Sequence, residues 1–153
     1  MSGQEGPSFR KIMVAFDTSK DSVKAIEFGC SLAKKYGSTL LVVHVYTASF
    51  PLYSGVAQMP APEYEGVAEL SKERARGVLR EGIELAEAQG VKAKGELLEA
   101  SSTVQAILEF DMSEKVDLII VGTRGMTGFK KLILGSVSSG LVSHSECPVL
   151  VVR

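Results

Sequence analysis

The sequence predicts an α/β fold in which a doubly wound, five-stranded parallel sheet carries helices on both faces. Runs of strand length alternate with helical patterns along the whole chain, and this alternation is typical of parallel sheets. The second run, residues 39–45, is too apolar and β-branched for a strand with one exposed face. The length of 153 residues favours one domain with a real core. We predict a single domain over residues 9–153, preceded by a flexible polar tail at residues 1–8.

The first strand and the first helix have clear signals. Residues 10–16 form a short apolar strand, and the DTSKDS that follows is rich in residues that begin helices. Gly37 marks the end of this helix, because glycine readily adopts the left-handed conformation that closes helices. Within the helix, apolar residues recur with helical spacing and share one face: Val23, Ile26, Cys30 and Ala33.

The later elements continue the alternation. A loop with three prolines follows the second strand, over residues 46–64. The remaining predicted elements are a long charged helix at 65–89 closed by Gly90, a more polar strand near the sheet edge at 91–99, a helix capped by Ser101 or Ser102, a strand at 117–122, a short helix at 136–145 and a final strand at 147–153.

The topology predicts where a ligand would bind. Right-handed crossovers leave few possible strand orders, and we favour the Rossmann-like order 3-2-1-4-5. Strands 1 and 4 are then neighbours, and the winding of the chain reverses between them. Ligands bind at such a switch point, outside the carboxyl ends of the strands. Asp17 follows strand 1 and Gly122 follows Val121 of strand 4, so both are expected at this crevice.

The segment from residue 121 to 140 holds five glycines and a cluster of hydroxyl groups. Gly122 and Gly125 permit a sharp turn or a close approach to the backbone. Gly135 and Ser136 lie where a helix begins, and the free amides and positive dipole of a helix N-terminus stabilise an anion. The sequence therefore predicts a phosphate cradle, with further hydroxyls from Ser138 and Ser139. The alternative is that the glycines only shape a loop and Ser136 only caps a helix.

Composition excludes several classes of function. A net charge of −1 argues against nucleic-acid binding. No run reaches the ~18 apolar residues of a membrane span, and the first residues lack the apolar segment of a secretory signal. Two cysteines make no disulfide framework, so we expect reduced thiols and a cytoplasmic location. His144 and Cys147 have too few partners for a closed zinc site.

Familiar phosphate-binding motifs are absent. The chain has no G-x-x-x-x-G-K-[ST] motif, and the turn after strand 1, AFDTSKDS, has no glycine for a dinucleotide fingerprint. That turn is hydroxyl-rich, like a flavin-phosphate loop. Asp17 would repel a phosphate there, however, and the chain has no tryptophan to cover a flavin ring.

The spacing Gly122-x2-Gly125-x9-Gly135-Ser136 resembles that of the universal stress proteins, whose nucleotide-binding members carry G-x2-G-x9-G-[ST] after the fourth strand. The resemblance extends to VAFD at strand 1, GSVSS at the last helix and CPVLVVR at the end. It implies ATP or AMP as ligand, with Mg²⁺ or Mn²⁺ held by the phosphates as an option. It also implies a homodimer formed through the strand at 147–153, whose apolar edge favours pairing.

The resemblance also implies a role for each site residue. Asp17 would accept hydrogen bonds from the ribose hydroxyls, Ala15 would line the pocket, and Val45 would meet adenine through its backbone. Val121 would touch the base or the ribose. The phosphates would be held by Gly122, Gly125, Gly135, Ser136 and Ser138, with Val137 in the same turn. Arg124 either clamps a phosphate or faces solvent, and His44 is expected to be hydrogen-bonded within the core.

Three hypotheses about function remain. The first is a nucleotide-binding regulatory module with an unknown protein partner, in which hydrolysis is absent or slow, because the sequence places no second carboxylate at the crevice. The second is an enzyme that hydrolyses the nucleotide or transfers its adenylyl group. The third is a dimeric scaffold without a ligand. The intact glycine motif argues against this third hypothesis.

Overall fold

The computed structural model describes residues 6–47, 61–123 and 134–153. Within these ranges, strands and helices alternate along the chain, and none of the helices described is long and apolar enough to cross a lipid bilayer. The strands are β1 (Lys11–Ala15), β2 (Thr39–Tyr46), β3 (Ala93–Glu99), β4 (Leu118–Gly122) and β5 (Val149–Val152), and the helices are α1 (Lys20–Tyr36), α2 (Ala61–Ala88), α3 (Thr103–Glu114) and α4 (Ser136–His144).

The strands form one parallel sheet in the order β3-β2-β1-β4-β5. The predicted fold class and strand order are therefore confirmed. β1 is the central strand, where Val14 pairs with Val42 of β2 and with Ile120 of β4. The polar strand β3 lies at one edge, as expected, and β5 forms the other edge. The winding reverses between β1 and β4, so their carboxyl ends form the switch point.

Helices cover both faces of the sheet. α1 and α2 pack on one face against a cluster that includes Ile12 and Val14. α3 and α4 pack on the other face against a cluster that includes Met13 and Ile119. Successive side chains of a strand point to opposite faces, so the buried inner residues of the central strands are apolar on both faces. Cys30 is 1% exposed in the first cluster, on the apolar face predicted for its helix.

Most helix ends follow the predicted signals. The side chains of Ser19 and Ser102 cap α1 and α3, and Gly37 closes α1 with a left-handed φ of 67°. Several strand and helix boundaries differ from the prediction by one to four residues, and two of the differences have a local cause. α2 begins at Ala61 rather than at residue 65, which Pro62 permits because a residue in the first turn needs no amide for a helical hydrogen bond. β5 begins at Val149, after Pro148, which has no amide to donate.

Phe9 anchors the segment that precedes β1. Its ring packs edge-on against Tyr36, with ring centroids 5.2 Å apart, and its carbonyl accepts a hydrogen bond from the Ser38 hydroxyl at 2.5 Å. Asp117 Oδ2 accepts from the amides of Arg10 and Lys11, at 2.8 Å each. These contacts gather at the amino ends of the strands, opposite the switch point.

Asp111 is a buried acid at the end of α3, with 6% of its surface exposed. Burial raises the pKa of its carboxyl above the ordinary value of 3.8, and hydrogen bonds with Cys147 and Ser145 offset part of this effect. The Ser145 hydroxyl lies 3.5 Å from Asp111 Oδ2. Burial also raises the pKa of the Cys147 thiol, and the neighbouring Asp111 adds to the rise. The folded state therefore favours a proton on this cluster.

We predict that Asp111→Asn raises the free energy of unfolding at pH 7. The folded state holds the Asp111 proton more tightly than the unfolded state, so the stability contributed by this group is full below pH 3.8 and is lost as pH rises through the folded pKa. The gain should be smaller at pH 3.8, where the folded state carries more of the Asp111 proton than at pH 7. Urea unfolding at both pH values measures this difference in the free energy of unfolding. Glu109→Gln, on the exposed side of α3, is the charge-matched control. A variant with no gain at pH 7 would contradict the raised pKa.

Candidate functional site

The turn after β1 brings Asp17 to the switch point. Asp17 Oδ1 accepts from the Ser19 amide at 3.0 Å, and the Ser19 hydroxyl accepts from the Ser22 amide at 3.2 Å, where α1 begins. Between them, Thr18 has a φ of 68°, which is uncommon for any residue with a side chain and strained for a β-branched one. Backbone strain of this kind is concentrated at functional sites. The Asp17 carboxylate keeps capacity for further donors, since it has about four acceptor positions.

The end of β2 forms the second side of the crevice. The Val43 carbonyl accepts from the Phe16 amide at 2.9 Å, just beyond the last paired residue of β1. Backbone groups of alternate residues in a parallel strand point to the same side, so the amide and carbonyl of Val45 point past the end of β1. His44 Nδ1 bonds to the Phe16 carbonyl at 2.8 Å, so this histidine is hydrogen-bonded within the fold, as expected.

Four predicted site residues lie on one face of the sheet. Ala15, Val45 and Val137 are partly buried against the cluster under α3 and α4, and Val121 belongs to that cluster. Since these residues come from β1, β2, β4 and α4, the fold brings together positions that are far apart in the sequence. Val121 is buried, so its side chain is not available to a ligand.

Gly122 ends β4 against the first turn of α1. A Cβ built on Gly122 would lie 2.7 Å from Asp21 Cβ and 2.9 Å from the Asp21 backbone carbon. Among the described glycines, a positive φ occurs only at Gly37 and Gly90. Of the two explanations offered by the sequence, close approach therefore applies to Gly122 and an unusual dihedral does not. The group that approaches is the protein's own helix.

Asp21 is a carboxylate at the crevice that sequence reasoning missed. It lies in the first turn of α1, and its Oδ2 accepts from the Thr123 hydroxyl at 2.5 Å. Asp21 and Thr123 are far apart in the sequence, and only the adjacency of α1 and β4 brings them together. The one sequence signal was an acidic residue early in a helix, which many helices share.

Helix α4 begins at the same edge with free amides. Gly135 is its N-cap residue and makes no side-chain cap. The Gly135 amide donates to the Thr123 carbonyl at 2.6 Å, and the Ser139 amide closes the first helical turn on the Gly135 carbonyl at 2.9 Å. The amides of residues 136–138 have no acceptor among the described residues. This end of the helix also carries the positive pole of its dipole.

Ser138 differs from the prediction. Its side chain is 1% exposed, and its hydroxyl lies 3.1 Å from the Gly135 carbonyl and 3.3 Å from the Thr123 carbonyl. The hydroxyl hydrogen is therefore donated within the protein and is not available to a ligand. Arg124 and Gly125 lie outside the described residues. Among the residues that the structure describes, no group of three or more His, Cys, Asp or Glu side chains is arranged to hold a metal ion.

The family model described as the universal stress protein family matches residues 8–153. The chain belongs to the universal stress protein family. A universal stress protein of Methanocaldococcus jannaschii is 34% identical over 146 residues, which cover 95% of this chain and 82% of the relative. A universal stress protein of Thermus aquaticus is 37% identical over 145 residues, which cover 95% of this chain and 99% of the relative.

Solved structures of other universal stress proteins share the fold. UspA of Lactobacillus plantarum aligns with a TM-score of 0.80 at 19% identity, covering 97% of this chain and 100% of the other. An Arabidopsis thaliana family member with AMP bound aligns with a TM-score of 0.64 at 20% identity, covering 94% and 90%. An Archaeoglobus fulgidus universal stress protein in complex with dAMP gives 0.65 at 15% identity, covering 97% and 100%.

We predict that Gly122→Ala destabilises this universal stress protein by about 1–3 kcal/mol, since the added methyl group collides with α1 and forces β4 and α1 apart. Gly77→Ala is the matched control, because a Cβ on Gly77 in α2 would meet nothing within 4 Å; it should stabilise the protein by about 0.5–1 kcal/mol. Urea unfolding of the two variants measures both effects. Equal stability of Gly122→Ala and the parent would mean that α1 and β4 are not packed this closely.

Proposed function

We propose that this universal stress protein binds an adenine nucleotide, AMP or ATP, at the carboxyl ends of β1 and β4 and acts as a regulatory module in a stress response. One observation carries the proposal. The Asp17 turn and the uncapped N-terminus of α4 lie at the ends of adjacent strands, where the winding of the sheet reverses. Family members with AMP and dAMP bound support the choice of ligand.

The β1 and β2 side of the crevice suits the nucleoside. Asp17 has acceptor capacity beyond its bond to the Ser19 amide, and ribose offers neutral hydroxyl donors. The outward amide and carbonyl of Val45 match the mixed donors and acceptors on the edge of adenine. Ala15 supplies a small apolar surface next to them, and we keep Val121 beside the base or the ribose on the strength of the family resemblance. A nucleoside would therefore be held here by hydrogen bonds, with the Asp17 carboxylate as the charged acceptor.

The β4 and α4 side suits the phosphates. The amides of Ser136, Val137 and Ser138, with the Ser136 hydroxyl, form an anion site at a helix N-terminus. We assign Gly122, Gly125, Gly135 and Arg124 to the same phosphate site on the strength of the family motif. A divalent ion such as Mg²⁺ or Mn²⁺ would bind through the phosphates, because the described residues supply no protein cluster for it.

We propose binding without rapid hydrolysis. Hydrolysis requires a positioned water, a group that orients it and stabilisation of the leaving phosphate. Asp21 is a second carboxylate at the crevice, but it is held by the Thr123 hydroxyl at 2.5 Å. We assign Asp21 to the Thr123 hydroxyl and Asp17 to the ribose, so the proposal uses neither carboxylate to orient water, and the nucleotide serves as a signal that the protein retains.

We predict that Asp17→Ala weakens AMP binding about 10- to 100-fold, because hydrogen bonds to a charged group contribute about 1.5–3 kcal/mol each. Asp17→Asn should have a smaller effect, and Glu27→Ala on the exposed side of α1 should have none. Titration calorimetry with AMP and ATP measures all three variants. Mass spectrometry of denatured parent protein tests the proposal itself by identifying any released nucleotide. Equal affinity of Asp17→Ala and the parent would remove Asp17 from the site.

We also propose a homodimer through the strand at 147–153. β5 is an edge strand that pairs with β4 on one side. The Pro148 and Val152 carbonyls accept from the Ile119 and Thr123 amides at 3.0 and 2.9 Å. Backbone groups of even-numbered residues therefore point to β4, and those of Val149 and Val151 point to the open edge. An open apolar edge favours pairing with the same strand of a second copy.

We predict that Val151→Pro gives a folded monomer that still binds AMP, since the lost amide points away from β4. Leu150→Pro is the contrasting variant, because it removes an amide that points to β4 and should lower the free energy of unfolding instead. Light scattering at micromolar concentration measures the mass of each. A parent protein that is monomeric with and without AMP would end the strand-pairing proposal.

A further inference from the structure

Thr123 joins three elements at the crevice. It follows β4 directly and is 4% exposed. Its amide donates to the Val152 carbonyl of β5 at 2.9 Å, and its carbonyl accepts from the Gly135 amide at the start of α4 at 2.6 Å. Its hydroxyl donates to Asp21 of α1 at 2.5 Å. Each polar group of one residue thus bonds to a different element.

The hydrogen bond from the Thr123 hydroxyl to the Asp21 carboxylate is a strong one. A hydroxyl that donates to a carboxylate forms a charge-assisted hydrogen bond, for which about 2.5–2.7 Å is the usual range. Gly122 makes this contact possible, because a Cβ there would collide with Asp21. Asp21 itself is held by the first turn of α1, which Ser19 caps. The position of Thr123 is therefore fixed relative to the turn that carries Asp17.

The start of α4 depends on Thr123 in turn. α1 and α3 each begin with a serine side chain that accepts from the helix, whereas α4 begins at Gly135 without a side-chain cap. The bonds that locate this end of α4 come instead from the Thr123 carbonyl, which accepts from the Gly135 amide and from the Ser138 hydroxyl. A shift of Thr123 would move the amides of residues 136–138.

We propose that Asp21 and Thr123 are positioning residues, which set the amides at the start of α4 at the distance from Asp17 that one nucleotide spans. This proposal rests on the function proposed above. It predicts that loss of the Asp21–Thr123 bond affects the phosphate part of the ligand and spares the nucleoside part. Neither residue needs to touch the ligand.

The test compares AMP with adenosine. Thr123→Val, which keeps the shape of the side chain but loses its hydroxyl, should weaken AMP binding about tenfold and change adenosine binding less than about twofold. Thr123→Ser should restore AMP binding. Thr39→Val is the matched control, because Thr39 is exposed at the amino end of β2. Equal losses for AMP and adenosine in Thr123→Val would overturn the proposal.

Hydrogen exchange of the Gly135 amide gives a readout that needs no ligand. Thr123→Val and Asp21→Ala should each speed this exchange about tenfold, and the double variant should be no faster than either, because both remove the same bond. Unchanged exchange in both single variants would overturn the proposal. If the parent bound neither adenosine nor AMP, the proposed function would fall, and the exchange rate of Gly135 would still decide whether Thr123 positions α4.

Discussion

Coverage of the sheet on both faces determines where this protein can meet a ligand. Ile12, Met13 and Val14 of the central strand are fully buried between two helical layers, so no ligand reaches the strand from above or below. For the inner strands, backbone groups become accessible only where the strands stop. Because β1 stops before β2 does, the outer groups of Val45 have no strand opposite them. The crevice is thus a consequence of strand lengths in a sheet whose two faces are covered by helices.

Two helix N-termini meet at this crevice, and they differ in chemistry. The N-terminus of α1 is capped by Ser19 and flanked by the carboxylates of Asp17 and Asp21. The N-terminus of α4 has no side-chain cap and no acid in its first turn. The carboxylates at the start of α1 repel an anion and accept hydrogen bonds from hydroxyl groups, whereas the start of α4 attracts an anion. In the proposed function, the same pair of helix ends would orient a nucleotide, with its ribose at α1 and its phosphates at α4.

Local sequence signals predicted most of the fold. The apolar runs, Ser102 and Gly37 each act through residues close in the chain. The alternation of elements and right-handed crossovers left few strand orders, and the order favoured among them is the one observed. The missed features depend on contacts between distant segments. Asp21 meets Thr123 only because α1 packs beside β4, and Ser138 turns inward only because the Thr123 carbonyl lies beneath it. The outward direction of the Val45 backbone depends on the register between β1 and β2. Sequence composition does not reveal this register.

The two ends of the described chain leave the sheet on opposite sides. Phe9 packs against Tyr36 at the amino ends of the strands, whereas Val152 bonds to Thr123 beside the crevice and the Arg153 carbonyl accepts from Lys24 Nζ at 3.2 Å. A polypeptide fused before Phe9 would extend away from the crevice. One fused after Arg153 would emerge next to it and next to the open edge of β5. Affinity tags and fluorescent reporters for this protein therefore belong at the amino terminus.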